Sequence, residues 1–275
     1  MPALVILLLV NIYPLIYSFY YSFTDFSLIK SDTVRFVGFS NYKNLFGSKE
    51  YLKSMLTTSK FVIVAVTLEV LIGVALALLL HELKKFGHAL LSFFLLPMML
   101  TPVIVGIMWR LLYNFDFGMI NFFIEEIGFD RIAFLANPQN TIYYLSLVDV
   151  WQWSPYVMLL TYSSLQSLPI SYLEAAKIDG ASKIQVLTHI YLPYISSTLT
   201  ICILIRLMDT IREYDKVFTM TMGGPGNSTE TASYFIYRKS FKFFDTSSAF
   251  AASFILLVIT IVLANLFFRR MKNEK

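Results

Sequence analysis

Apolar residues in this chain run in six blocks, 3–23, 57–80, 89–113, 141–165, 191–211 and 248–268, separated by polar segments. Each block is about 20 residues or longer, the length at which a helix crosses a hydrocarbon layer roughly 30 Å thick. A spanning strand needs only about half that length, so the pattern predicts helices and not a barrel. Six crossings place both ends on one side. No basic stretch precedes the first block, and Pro14 interrupts it without a small-residue cleavage site. It is therefore expected to be a true span rather than a removable signal. Met1 and Pro2 then stand almost inside the bilayer, so a short cytoplasmic leader is expected ahead of them.

Composition agrees with the pattern. The 275 residues are 57% hydrophobic with a mean hydropathy of +0.65, far above what a soluble domain needs to fill its core. The net charge of +4 says little, but its placement is informative. The loops 81–88 and 166–190 and the tail 269–275 carry Lys84, Lys85, Lys177, Lys183, Arg269, Arg270, Lys272 and Lys275 against Glu82, Glu174, Asp179 and Glu274. In the opposite loops, near 24–56, 114–140 and 212–247, acids and bases roughly cancel. Basic excess in short loops marks the cytoplasm, so both termini and the 166–190 loop are expected inside. The outer loops carry FVGFSNYKNLF at 36–46 and NFDFGMINFFIEEIGF at 114–129, the latter spaced for a short interfacial helix. No repeat or linker divides the chain, so 1–275 is expected to be one all-α integral membrane domain.

Catalytic chemistry is sparse. His81, His88, His189 and the single Cys202 show no metal-ligand or nucleophile spacing, and Cys202 is expected to pack inside the fifth block. The cluster MGGPGNST at 222–229 lacks the lysine of a phosphate loop. An intramembrane enzyme is thus disfavoured. Ionisable groups within or beside the spans carry more information, because each is costly in lipid unless it faces the bundle interior, water or a partner: Glu69, Arg110, Asp149, Arg206, Asp209, Arg212 and Glu213. Asp149, Trp153 and Tyr156 fall at i, i+4 and i+7, one helical face bearing a carboxylate and two aromatics, which suits a sugar's hydroxyls and apolar ring face. Arg206, Asp209, Thr210 and Glu213 form a similar face on the fifth block, which would either contact substrate or, through Arg206 and Asp209, only hold the bundle together. Glu69 stands alone on its block and is expected to make a buried structural hydrogen bond. Pro97 and Pro102 are expected to bend the third span.

The segment LPISYLEAAKIDGASKIQVLTHIYLP, 168–193, reads as two short cytoplasmic helices joined at Gly180. Pro169 and Ser171 open the first, Ala175 and Ala176 offer a smooth face for close approach, Glu174 and Lys177 face solvent, and Pro193 marks the start of the fifth span. Such an ordered elbow without catalytic groups is expected to be a docking surface.

This segment resembles the EAA-x3-G-x9-I-x-LP loop of bacterial binding-protein-dependent ABC importer permeases. Glu174, Ala175, Ala176, Gly180, Ile190, Leu192 and Pro193 fill its positions, and Asp179 and Ala181 fit its extended form. YPLIYSFYYSFTDF at 13–26, LLPMMLTPVIVGIMWRLLYNFDFGMIN at 95–121, TMGGPGNSTET at 221–231 and FKFFDTSSAFAAS at 241–253 are similar to the oligosaccharide-type permeases, on the side related to the maltose importer's first permease subunit. The resemblance implies a type I ABC importer permease fold of six transmembrane helices in a bacterial cell or inner membrane. It also implies a second homologous permease, two copies of a cytoplasmic ATPase carrying ATP and magnesium, and an external or periplasmic solute-binding protein for a sugar. No cofactor is expected in this chain, and no nucleic acid partner. Glu174 to Ala181, with Leu192 and Pro193, would couple to the ATPase. Asp149, Trp153, Tyr156, Arg206, Asp209, Thr210 and Glu213 would line the sugar path, and Gly223, Gly224, Pro225 and Gly226 would face the binding protein. An ion-gradient-driven secondary transporter, with Glu69, Asp149 and Asp209 as ion sites, is the alternative.

Overall fold

The computed structural model describes residues 2–29, 33–83 and 87–273; Met1, Lys84, Lys85, Glu274 and Lys275, which entered the leader and charge arguments, lie outside the described residues. Among the described residues all regular elements are helical, with one isolated bridge between Thr24 and Phe36. The first half runs α1 Pro2–Tyr21, α2 Ser40–Gly47, α3 Lys49–Glu82, α4 Gly87–Met99, α5 Pro102–Leu112 and α6 Met119–Glu126. The second runs α7 Thr141–Gln166, α8 Ile170–Ile178, α9 Lys183–Val186, α10 Leu192–Thr210, α11 Asp215–Met220, α12 Ala232–Tyr237 and α13 Thr246–Asn273. All six apolar blocks are helical, and α6 is the short helix expected in the second outer loop.

Length and apolarity suitable for crossing a membrane are met among the described residues by Lys49–Glu82, Lys183–Thr210 and Thr246–Phe267. The third block is the sharply broken one. It is bent as the prolines predict, and sharply enough to divide it: two helices, Leu90–Met99 and Pro102–Leu112, meet at 96°. Pro102 opens α5, and the residue before a proline is pushed out of helical geometry: Thr101 is extended at ψ 143°. The Leu100 carbonyl at the break accepts from Gln152 Nε2 of α7 at 2.9 Å, so the interruption is satisfied by a buried side chain. The apolar run Ile6–Tyr21 of α1 is shorter than the three crossing helices. The helix α7 has the length but not the apolarity, because Ser146, Asp149, Gln152, Ser154 and Thr161 are all buried along it.

The helices α3 and α7 pack together along most of their length and form the spine of the molecule. One apolar cluster around them joins Phe61, Val105, Leu145, Val148 and Val217; another joins Ala77, Leu80, Met158, Leu165 and Ile195. The short α11 lies against α5, where a Cβ at Gly106 would run into the Thr219 hydroxyl, so the close approach requires glycine. Side chains such as Ile6, Leu7 and Val10 on α1, Ile63 and Leu71 on α3, and Val258 on α13 are exposed, the arrangement of a protein whose solvent is lipid.

Candidate functional site

The polar face of α7 meets three other helices in a closed ionic cluster. From α10, Arg206 donates through Nε to Glu69 Oε2 at 2.7 Å, and through Nη2 to Glu69 Oε1 at 3.1 Å, Asp149 Oδ2 at 3.0 Å and Thr210 Oγ1 at 3.2 Å. From α11, Lys216 Nζ lies 2.7 Å from Asp149 Oδ1 and donates to Glu213 Oε2 at 3.1 Å. Glu69, Asp149, Arg206 and Lys216 are at most 2% exposed. Charges this deep are tolerable only because each is matched and hydrogen-bonded. Glu69 thus makes the buried structural hydrogen bond expected of it, as half of a bidentate pair with a residue 137 positions away. Lys216 was not anticipated in the site at all, since it lies beyond the fifth block; its i, i+3 spacing from Glu213 was the available signal.

Asp149 was expected to offer its carboxylate to a sugar hydroxyl. Instead, both of its oxygens are engaged by cations and it is 1% exposed. Thr210 is likewise enclosed, and Glu213 accepts from both Lys216 N at 2.8 Å and Lys216 Nζ. The expected pairing of Arg206 with Asp209 is only a 3.9 Å approach; the Asp209 carboxylate, 49% exposed, accepts instead from Arg212 Nη2 at 3.1 Å. Trp153 and Tyr156 are half-buried and Asp209 is exposed. The Arg206 guanidinium is 4.7 Å from the Trp153 ring centroid, tying this rim to the ionic core. The arrangement is a rigid charged core with an aromatic and carboxylate edge.

A separate cleft of about 1020 Å³ between α3, α4 and α7 is lined by apolar residues including Ile72, Phe93, Pro97, Leu147, Trp151 and Pro155, and offers a sugar almost no hydrogen bonds. Among the described residues no group of three or more His, Cys, Asp or Glu is placed to hold a metal ion.

The elbow has more internal order than a connecting loop needs. Pro169, extended at ψ 131°, opens α8, and Gly180 reverses the chain at φ +70°, a conformation an L side chain resists. Ser182 Oγ accepts from Gln185 N while Gln185 Oε1 accepts from Ser182 N, a capping box that starts α9. Glu174 and Lys177 are exposed as expected. Ala176 is not part of an open face: it is buried, its carbonyl accepting from Ala181 N at 2.9 Å, and of the two alanines only Ala175 is exposed. Nor is the second elbow helix separate. It continues through a π turn, Leu187–Tyr191, into α10, making one helix from Lys183 to Thr210. Pro193 lies in the first turn of α10 without stopping it, and the wider turn before it closes with Leu192 N–H donating to Leu187 O. Ile170, Tyr172, Ile178 and Ile184 are exposed on this elbow, Ile178 by 86%.

On the opposite end, the 222–229 loop is held in a defined shape. Thr229 Oγ1 donates to Gly224 O at 2.7 Å, and Lys53 Nζ donates to Gly226 O at 3.1 Å. Arg238 donates to Glu230 at 2.6 and 3.1 Å and reaches Glu50 at 3.2 Å. Burial pushes the Glu230 carboxyl above its usual range even against Arg238.

Residues 69–273 match the family model described as binding-protein-dependent transport system inner membrane component. A probable ABC transporter permease of Sinorhizobium fredii is 38% identical over 96% of this chain and 85% of its own length. The trehalose/maltose transport system permease of Thermococcus litoralis is 31% identical over 85% of this chain and 79% of its own. Among solved structures, a bacterial ABC transporter involved in import of the acidic polysaccharide alginate superposes with a TM-score of 0.86 at 21% identity, covering 99% of this chain and 93% of that one.

Proposed function

Because the chain belongs to the family of binding-protein-dependent transport system inner membrane components, transport subunits of ABC importers whose ATP is hydrolysed in a separate subunit, we propose that it forms half of the membrane path of a sugar importer. In this proposal the chain crosses the bacterial inner membrane six times, with α4 and α5 together making one broken crossing and both termini in the cytoplasm. It pairs with a second, homologous permease. Two ATPase subunits carrying ATP and magnesium bind below, and a solute-binding protein docks above, near Gly223, Gly224, Pro225 and Gly226.

The elbow carries this proposal. Its caps hold α8 and α9 in place while isoleucines and a tyrosine remain uncovered, the composition of a surface awaiting a protein partner. Glu174, Ala175, Asp179, Gly180 and Ala181 would lie in or beside the ATPase cleft, with Ala176 bracing α8 from within. A helix running unbroken from Lys183 to Thr210 is about 42 Å long at 1.5 Å per residue, so a push at Ser182 reaches Arg206 without crossing a flexible joint. Leu192 and Pro193 lie on that rod. Closure of the ATPases on ATP would thus move α10, and the ionic cluster that joins it to α3 and α7 would carry these helices as a unit. Trp153, Tyr156 and Asp209 would contact the sugar, with Asp149, Arg206, Thr210 and Glu213 positioning them.

A secondary transporter driven by an ion gradient leaves the elbow unexplained, and the buried acids Glu69 and Asp149 it needs as ion sites are already matched by Arg206 and Lys216. The test is reconstitution. Sugar accumulation in proteoliposomes should require ATP and the co-purifying ATPase, and uptake that persists without any ATPase would refute the importer.

A further inference from the structure

The 222–229 loop carries a left-handed backbone at Met222, Gly223, Gly226 and Asn227, with φ between 51° and 83°. For Met222 and Asn227 that conformation is strained, and a loop keeps such a shape only where its surroundings over-determine it. Part of the restraint is internal. Gly224 N donates to Thr221 O at 2.9 Å, Ser228 N to Pro225 O at 3.0 Å, and Oγ1 of the buried Thr229 to Gly224 O at 2.7 Å. The rest comes from the start of α3. Lys53 Nζ donates to the Gly226 carbonyl at the tip of the loop at 3.1 Å, across 173 positions of sequence. Glu50, one turn earlier on the same face of α3, accepts from Arg238 Nη2 at 3.2 Å. Arg238 in turn grips Glu230 through Nε and Nη2 at 2.6 and 3.1 Å, and Glu230, 2% exposed, is the residue by which the chain leaves the loop. Tip and stem are therefore both fastened to the first turns of one helix, and that helix is half of the α3–α7 spine. The tip is nevertheless uncovered. Met222, Gly226 and Asn227 are exposed, and nothing stands within 4 Å of where a Cβ on Gly226 would lie.

We propose that Lys53, Glu50, Arg238 and Glu230 form a brace that presets the 222–229 loop in the shape on which a solute-binding protein docks. They are positioning residues, acting on the partner through the loop they hold. The inference rests on the importer reading, in which this loop faces the binding protein. A loop free to sample other shapes binds more weakly in proportion to the time it spends in the wrong ones, whereas turnover of the docked complex is unaltered. Lys53 and Glu50 are exposed, where a single polar contact adds little to the stability of the fold. Their effect therefore falls on the loop and not on the bundle, which separates a brace for docking from a structural tie.

Two measurements test this. In the first, the permease pair and its ATPase in nanodiscs are titrated with the maltotriose-loaded solute-binding protein of the same system, and ATP hydrolysis is followed. Lys53→Met with Glu50→Ala should raise the half-stimulating concentration about fivefold or more while the plateau rate and the thermal midpoint hold, and Lys53→Arg, which keeps a donor, should behave as the parent. An unchanged half-stimulating concentration, a lowered plateau at an unchanged concentration, or a Lys53→Arg variant as weak as Lys53→Met would each overturn the inference. The second measurement is backbone hydrogen exchange over 222–229. The binding protein should slow exchange in the parent, and Lys53→Met with Glu50→Ala should speed exchange of the free loop. Slowing by the binding protein without any effect of the substitutions would overturn the brace and leave the docking site standing, whereas no slowing by the binding protein would overturn the docking reading and the inference with it.

Discussion

At the scale of single residues, the ionic cluster is the feature most sensitive to change. Arg206 compensates two buried carboxylates at once, so Arg206→Met strands Glu69 without a partner and leaves Asp149 to Lys216 alone. Breaking a buried pair from one side costs about 3–5 kcal/mol, much more than the intact pair contributes. We expect Arg206→Met to lower the thermal midpoint of the purified importer markedly and Arg206→Met with Glu69→Met to recover part of that loss, measured by thermal unfolding in detergent. A double variant as unstable as the sum of the two single variants would show that the residues do not act as a pair. Trp153 stands apart, because it is held by the cluster yet keeps open surface. Trp153→Ala should reduce sugar uptake several-fold while the ATPase still co-purifies; loss of the ATPase instead would make Trp153 structural.

Among the elements, the elbow and the rod behind it belong together. Gly180 has φ +70°, where a β-branched side chain is strained by roughly 1–2 kcal/mol, and the reversal between α8 and α9 depends on it. Gly180→Val should leave the chain in the membrane while ATPase co-purification falls about tenfold or more. Ile178 is 86% exposed and supports nothing inside the chain, so Ile178→Asp should have the same effect on co-purification without altering thermal stability. Full ATPase retention by both variants, measured by quantitative immunoblot, would remove the elbow from the contact. At the other broken element, Gln152 satisfies the Leu100 carbonyl, and Gln152→Leu should destabilise the α4–α5 junction by about 1–3 kcal/mol, read as faster proteolysis near Leu100.

For the whole molecule the proposal fixes how the chain threads the bilayer. Six crossings with cytoplasmic termini put Ile184 inside and Asp130 outside. An α4–α5 pair that turns back instead of crossing would place the loop after α5 on the same side as the end of α3. Single cysteines replacing Asp130 and Ile184, in a Cys202→Ser background, should react with a membrane-impermeant maleimide from opposite faces of intact cells and inverted vesicles. Labelling from the same face would reduce the crossing number and move the broken pair to one leaflet.

Local patterns were legible along the chain wherever the physics is local. Block length determined the helices, and Pro169 and Gly180 determined where the elbow starts and turns, because proline geometry and left-handed glycine act over a few residues; the Ser182 capping box that restarts it is equally local but was not read from the sequence. The i, i+4 and i+7 spacing put Asp149, Trp153 and Tyr156 on one face, but not what that face would meet. Tertiary structure alone decided that Glu69 and Lys216, 147 positions apart, converge on Asp149 and Arg206, and that Asp149 is therefore enclosed while Trp153 and Asp209 remain open. It alone decided that Ala176 turns inward and that the second elbow helix merges with α10. The reason is that charge pairing inside a bundle depends on which helices become neighbours. That choice is made by packing across the whole chain, where no window of local sequence contains both partners.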